Sequence, residues 1–522
     1  MEGKDNASLA SLPSRRNIVR RIDILLLPLL TICYGLQFYD KAVLGSATIF
    51  GILDDLELAT VSGGKRDLSR YSAATAAFYY GYVGAVIPAS FLAQRLRPNY
   101  FLGGAIFLWG FIVLLTPAIA SWQGLIAQRV FLGAVESTVS PGFLLVTRRF
   151  WTRQEMPMRV GVWYSATGLF SVFSGLVNYG LGTRSHPGIA TWKTLFLVPG
   201  FLTVFFGAVV LLFLPPEPAR DAVIKVPGYN TFSPAEREAM LRATRLEALG
   251  RESDKWEWSQ VLEALCDYKV WIYFLLATAI YVCNGGVTVF GPLLIKSFGY
   301  SSTRAILLQT PGGAVTVVAI LLACWMSLRF RNARLLILAL SCLPVILGAA
   351  LIWAPSVNWQ KHQAMPLIGY YLLPAFGAPY VMLLSSLAAN VAGTTKASFA
   401  AGAVFVGYNV GNIASAYILL PSEASVHYAT TWKIIISMMC ASIGLAGILA
   451  GAMTWENRRR DKRAERDGSS VPPTPVEGQQ EKKLDSDAGL NKDVEATSSD
   501  AAAAVEQRDL TDWQNKAFRY VL

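Results

Sequence analysis

Two short stretches place charge inside runs otherwise apolar enough to cross a bilayer. One is Gln37-Phe38-Tyr39-Asp40-Lys41; the other runs from Arg129 through Gly133 to Glu136. An ionised side chain at the bilayer centre costs about 2.5–3.5 kcal/mol on insertion scales, so such residues usually face a water-filled path or a ligand. Positions seven apart share one helical face about 10 Å long, so Arg129 and Glu136 are expected to face one cavity. By helix rise, Asp40 and Arg129 each lie roughly 10 Å below the outer surface, level with one another. Lys41 and Arg129 are candidates to bind an organic anion, and the planar fork of Arg matches a carboxylate. Asp40 and Glu136 are candidates for carrying protons, because a buried carboxylate is costly unless a cation offsets it. The structural alternative stays open: Asp40 with Lys41, or Glu136 with Arg129, could neutralise each other and hold helices in register. The long stem of Lys41 could also snorkel to the interface.

The elements that must position these residues are membrane spans. With 522 residues, 53% of them apolar types and only 16% charged, the chain is too apolar for a soluble protein of this size. Stretches of the required length, roughly 20 residues, fall near 24–46, 71–93, 100–119, 122–147, 160–182, 192–214, 269–291, 303–327, 334–354, 366–390, 397–420 and 432–454. The first follows an arginine-bearing arm (Arg15, Arg16, Arg20, Arg21) without a small-residue cleavage site, so it reads as a retained helix. Arg95, Arg97, Arg148, Arg149, Arg153, Arg159, Arg329, Arg331 and Arg458 to Arg460 fall on the side of that arm, which is expected to be cytosolic, with both termini. The net charge of +11 is therefore mostly topology, and dispersal of the basic residues among membrane ends argues against a nucleic-acid surface.

Further polar residues extend the expected cavity: Gln37 one turn before Asp40, Asn178, Asn284, Asn409 and Asn412. Asn284 and Asn409 lie beside glycines (Gly285, Gly286; Gly407, Gly411) that suit unwound backbone at a substrate site. Each amide could instead bond a neighbouring helix. Tyr164 and Tyr281 are candidates to stack on or hydrogen-bond a ligand, with core packing as the alternative. His186, His362 and His427 fall in expected outer loops as solvated residues. Five cysteines fall within spans and Cys266 beside one, without a C-x-x-C pair, so no disulfide framework or metal site is expected. Motifs H-E-x-x-H, G-x-x-x-x-G-K-[ST] and G-x-S-x-G are absent, which argues against an enzyme and an ATP-driven pump, and no cofactor is expected.

The organisation expected is a cytosolic arm (1–21), a six-helix half (22–215), a central cytosolic linker (216–268), a second six-helix half (269–455) and a largely disordered cytosolic tail (456–522). In the linker, Ser233-Pro234-Ala235-Glu236 reads as a helix start. The closing residues, Asp509 to Leu522, turn aromatic again and suit a docking segment. The halves echo each other: Arg95-Leu96-Arg97 and Arg329-Phe330-Arg331 follow spans 2 and 8, while Thr191-Trp192-Lys193 and Thr431-Trp432-Lys433 open spans 6 and 12. Such offsets fit parallel six-span repeats with a ligand at their interface. The fold class expected is an all-α membrane protein with twelve transmembrane helices in two six-helix halves.

These residues resemble the major facilitator superfamily, and within it the anion:cation symporter branch, whose fourth span carries R-x-x-x-G-x-x-E (here Arg129, Gly133, Glu136) and whose first carries Asp followed by a base (Asp40, Lys41). More narrowly the chain resembles the fungal allantoate permease family, through Leu36 to Lys41, Ile49 to Leu56, Tyr79 to Tyr82, Pro141-Gly142-Phe143, Asn390 to Lys396, Gly407 to Asn412 and the closing Phe518-Arg-Tyr-Val-Leu522. The resemblance implies that Arg129 binds a substrate carboxylate and that Glu136 and Asp40 carry protons. Gln94 stands where the superfamily commonly has Asp in the loop after span 2. The function expected is proton-coupled symport of a small organic anion, such as allantoate, nicotinate or another vitamin or nitrogen-source acid, by a monomer in the plasma membrane. A nutrient receptor that binds an anion and signals through its tail, or an uncoupled facilitator, are the alternatives.

Overall fold

The structure is a computed structural model and describes residues 15–522 except 63–64, 153–154, 184–187, 228–229, 241–256, 331, 355–363, 420–422, 424–427, 467–509 and 516–517. Helix occupies every stretch expected to span: α1 (Arg15–Ala47), α2 (Ser69–Arg95), α3 (Pro98–Leu114), α4 (Trp122–Glu136 and Val139–Phe150), α5 (Met156–Gly182) and α6 (Thr191–Phe213) come first. The second set is α7 (Tyr268–Tyr281, a π-turn at Gly285–Val289, and Gly291–Ser297), α8 (Ser302–Leu307 and Thr310–Arg329), α9 (Arg334–Trp353), α10 (Ala364–Leu372, Leu373–Phe376 and Gly377–Asn390), α11 (Thr394–Ser415) and α12 (Ala429–Arg466). Among the described residues, the only strands are β1 (Thr60–Ser62) and β2 (Lys65–Asp67), an antiparallel pair between α1 and α2.

Nine of these helices, among the described residues, are long and apolar enough to cross a membrane by themselves. The three that fall short are α2, α7 and α11. The break in α7 leaves Tyr268–Tyr281 only 14 residues long, and it passes only together with the helix Trp258–Cys266 before it. All three carry polar residues turned inward, Ser72, Thr75 and Tyr79, or Asn284 and Thr288, or Tyr408, Asn409 and Asn412. By contrast α9 is apolar all round. Leu335, Leu338, Cys342 and Val345 are buried, while Leu336, Leu340, Leu343 and Leu347 form an exposed stripe at spacings of three and four. A helix with no polar face is at home in lipid.

Lipid tails are as apolar as leucine, so small residues that allow close approach must hold the helices together. A stripe at intervals of seven on α5, Gly161, Gly168 and Gly175, abuts Cys324, Thr316 and Thr310 of α8, joining the two halves. Within the first half, α3 and α6 interlock through Gly103, Gly110 and Gly207. The repeated Trp192 and Trp432 are both fully buried, and Trp192 Nε1 donates to Asp55 at 2.6 Å.

One side of the bundle carries the start of α1, the linker and the segment of Asp512 and Tyr520, and is called the linker face here. On it α1 begins nine residues before the expected span and uses that extension for contacts. Arg21 pairs with Glu236 at 2.8 Å, and Asp23 accepts from Trp151 Nε1 and pairs with Arg159, both at 2.8 Å. The expected capping box forms reciprocally: Ser233 Oγ accepts from the Glu236 N–H at 3.2 Å, and Glu236 Oε2 from the Ser233 N–H at 2.7 Å. Helix follows over 234–240, and the rest of the expected amphipathic piece lies outside the described residues. The tail differs from expectation at its start. Helix α12 continues to Arg466, and arginine at 460 bonds Glu456 one turn back at 3.0 Å. The remaining stretch expected to be disordered, and His186, His362 and His427, lie outside the described residues.

Candidate functional site

Helix α4 approaches α2 without side chains between them. A Cβ on Gly133 would collide with the Phe78 carbonyl oxygen, and one on Gly81 with that of Val130. The two glycines therefore bring Arg129 and Glu136 against α2 and α1, which explains why glycine stands between the two charges. Directly after Glu136, α4 breaks. Pro141 removes the N–H that would bond the Ser137 carbonyl, and Ser137 and Thr138 hydroxyls bond back to Ala134 O (2.7 Å) and Val135 O (2.8 Å). Glu136 thus sits at a helix end, fully buried.

All four intramembrane ions come together, but they pair unevenly. Lys41 Nζ forms an ion pair with Glu136 Oε1, and Gln37 also reaches the Glu136 carboxylate. Asp40 lies within electrostatic range of Arg129, Lys41 and Glu136 and faces the indole N–H of Trp109, but it forms no ion pair among the described residues. Arg129 is 3% exposed, forms no ion pair among the described residues, leaves its Nε unpartnered and stands 6.0 Å from the Phe196 ring centre. The pairing foreseen within the first helix or within α4 is replaced by one between them.

In front of this group lies a cavity of about 880 Å³, counting its open mouth, between the two halves. Gln37, Lys41 and Tyr164 line it from the first half, and Tyr281, Asn284, Thr288, Gln309 and Tyr370 from the second. Lys41 is the one charged residue among the described lining residues. Asp40, Arg129 and Glu136 sit behind that lining. Tyr164 and Tyr281 hydrogen-bond hydroxyl to hydroxyl across the halves. Around them Tyr34, Tyr380 and Tyr408 form a continuous ring cluster, with Tyr281 and Tyr408 centroids 4.1 Å apart. These three tyrosines, Thr288, Gln309 and Tyr370 escaped sequence reading. Periodicity offered a signal for Tyr34, one turn before Gln37, and for Thr288, one turn after Asn284; nothing local marked the others.

Asparagines divide by place. Asn284 lines the cavity, donates to Asn412 Oδ1 and accepts from Thr288 Oγ1, both at 2.6 Å. Asn178 is outside the lining, accepting from Tyr39 Oη (3.1 Å) and donating to Ser46 Oγ (3.0 Å), so it ties α5 to α1. Asn409 is also outside the lining; its amide donates to Phe405 O at 2.7 Å within α11 and its oxygen is unpartnered. Of the two glycine-flanked asparagines, only Asn284 stands at an irregular turn among the described residues, the π-turn beginning at Gly285. Helix α11 is continuous through Gly407 and Gly411, which instead let the Phe274 and Thr278 carbonyls of α7 approach.

The sequence pattern of the Major Facilitator Superfamily matches residues 30–416, most of the chain. The chain belongs to the Major Facilitator Superfamily. An uncharacterized transporter of Schizosaccharomyces pombe is 32% identical over 449 residues, 86% of this chain and 81% of that one. The allantoate permease of Saccharomyces cerevisiae is 28% identical over 518 residues, 97% of this chain and 86% of that protein. Among solved structures, a bacterial homologue of the human lysosomal transporter Spinster, inward-facing and unoccupied, shares the fold with a TM-score of 0.53 at 13% identity. The match covers 84% of this chain and 97% of that one. This Major Facilitator Superfamily protein is a multi-pass membrane transporter, and its relatives are transporters rather than enzymes.

Proposed function

We propose that this transporter carries a small organic anion into the cell together with one or more protons, from the plasma membrane, with the linker face cytosolic. The observation that carries the reading is the uneven charge cluster. A buried ion without a paired partner costs several kcal/mol, and here Arg129 and Asp40 are both left so while Lys41 and Glu136 pair. A site that retains such a cost has its charges completed by what it binds.

Coupling follows from the one ion pair. An anion entering the cavity meets Lys41 first and competes with Glu136 for it. Deprived of its cation, Glu136 is stable in the low-dielectric site only if it takes a proton. Anion and proton therefore favour each other's binding by the same factor. Arg129, behind Lys41, holds the second oxygen of a carboxylate, and Asp40 carries a proton when Arg129 is engaged. With one monovalent anion and one proton, on Glu136 or Asp40, the site keeps the zero net charge of the empty deprotonated one while Arg129 gains a partner, whereas the anion alone would leave it negative. This favours turnover of the fully loaded carrier. The halves rock along the glycine stripe between α5 and α8. Likeness to the allantoate permease supports a carboxylate as cargo.

The test is uptake of labelled allantoate, nicotinate, pantothenate and biotin in cells lacking their own permeases, at acidic and neutral outer pH. The expected result is uptake of one acid, faster at acidic pH and abolished by a protonophore. Uptake unaffected by the protonophore contradicts coupling.

A further inference from the structure

A second buried charge cluster lies on the linker face, far from the cavity, and the last residues of the chain complete it. Asp512 reaches Lys269 of α7 at 2.5 Å and Lys396 of α11 at 2.7 Å. Tyr520 Oη donates to Asp512 at 2.8 Å and accepts from Lys269 at 2.8 Å. The backbone of the same segment is read as well. Asn457 bonds both the N–H and the carbonyl of Tyr520 at 2.9 Å, and Asn390 those of Val521 at 2.7 and 2.8 Å. The Leu522 carbonyl accepts from the Arg334 N–H at 2.9 Å, and Arg460 donates to the carbonyls of Asp512, Asn515 and Phe518 at 3.0–3.2 Å.

The charges of the groove balance without the tail. Lys269 has Asp267 at 3.1 Å, Lys396 has Glu263 at 2.8 Å, and Arg460 has Glu456 at 3.0 Å. Withdrawal of Asp512 leaves no cation of the groove without a carboxylate, and Asp512 itself passes to water. Detachment therefore avoids the several-kcal/mol cost of stranding a buried ion. A segment whose departure strands no buried ion is able to leave and return as a ligand of the groove, whereas an integral strut would leave unpaired buried charges behind it.

We propose that the linker-face groove between the helix Trp258–Cys266 and the ends of α7, α9, α10, α11 and α12 is a peptide-binding site. It accepts a segment with an aspartate eight residues before a tyrosine, and its resident ligand is this chain's own segment carrying Asp512 and Tyr520. Two asparagines read backbone in any sequence; Asp512 and Tyr520 supply the selectivity. The contacts named above are to the linker helix, to the second half or within the segment, so docking braces α7 and α11, which hold Tyr281, Asn284 and Tyr408.

The test uses the full-length protein in detergent and a fluorescein-labelled synthetic peptide of residues 510–522. In a D512N/Y520A double variant the chain's own segment is released, and the peptide is expected to bind at least tenfold more tightly than to the wild-type chain, whose groove is occupied. An Asp512→Asn peptide is expected to lose most of that binding. Hydrogen exchange on the unmodified chain gives an independent reading, with the amides of Tyr520 and Val521 at least about tenfold slower than in the free peptide. Absence of both peptide binding and amide protection overturns the site. Protection without peptide binding to the double variant overturns its exchangeability and makes the segment a fixed part of the fold.

Discussion

The protein buries two clusters built from the same residue types and balances them differently. In the membrane, Lys41 and Arg129 meet Asp40 and Glu136, and one ion pair forms. On the linker face, Lys269 and Lys396 meet Asp267, Glu263 and Asp512, and each lysine has at least two carboxylates within 3.1 Å. A closed set of charges holds elements in place, and it stays balanced even when one carboxylate, that of Asp512, withdraws. An open set retains an unpaired cation and an unpaired acid at a cost that only a ligand and a proton remove. The comparison separates ions that stabilise from ions that act, although both are buried.

Changes to the open cluster should be largest. Arg129→Lys keeps the charge but loses the fork, so the half-saturation concentration for uptake should rise by tenfold or more; unchanged uptake would remove Arg129 from the site. Glu136→Gln should give exchange of labelled for unlabelled substrate without net accumulation, measured in vesicles with and without a pH gradient. Gly133→Ala separates α4 from α2 and should lower stability by about 1–3 kcal/mol, read as a reduced melting temperature in detergent.

The hold of the groove on Asp512 should be lost only in acid. Burial alone would raise the Asp512 carboxyl, but Lys269 and Lys396 outweigh it and hold it below the ordinary carboxylate range. A depressed folded value contributes stability above the unfolded one, about 3.9 for Asp, and that contribution is lost as pH falls through the folded value. The groups facing it are Lys269, Lys396, Asp267, Glu263, Arg460 and Tyr520. Amide protection of Tyr520 should accordingly persist at about pH 5 and vanish below the ordinary range. The smallest effect is expected at Asn178→Ala, which removes two interhelical bonds worth about 0.6 kcal/mol each in membranes, with transport kinetics unchanged.

Hydropathy located every span because lipid imposes a length on each helix, and the three helices that do not pass as spans alone, α2, α7 and α11, carry polar residues turned inward or, in α7, a break that shortens the helix. The charged residues were legible because a membrane makes them anomalous wherever they fall. Their partners were not. Sequence offered Asp40 to Lys41 and Arg129 to Glu136 by proximity along the chain, whereas packing of α1 on α4 joined Lys41 to Glu136. Glycines were misread where two meanings compete: Gly285 does open a helix, but Gly407 and Gly411 serve close packing. The tyrosine cluster was invisible because an aromatic in a span looks alike whether it lines a cavity or fills a core. Aromatic content hinted at docking of the last residues, but their groove is assembled from helices far apart in sequence.

The most direct test of the account is substrate-driven proton movement in proteoliposomes containing the purified transporter and an entrapped pH-sensitive dye. Addition of the transported carboxylate outside, with no imposed gradient, should acidify the lumen, and Glu136→Gln should abolish the acidification while substrate exchange continues. Accumulation of the labelled anion with no change in internal pH would contradict the claim that the open cluster joins anion to proton.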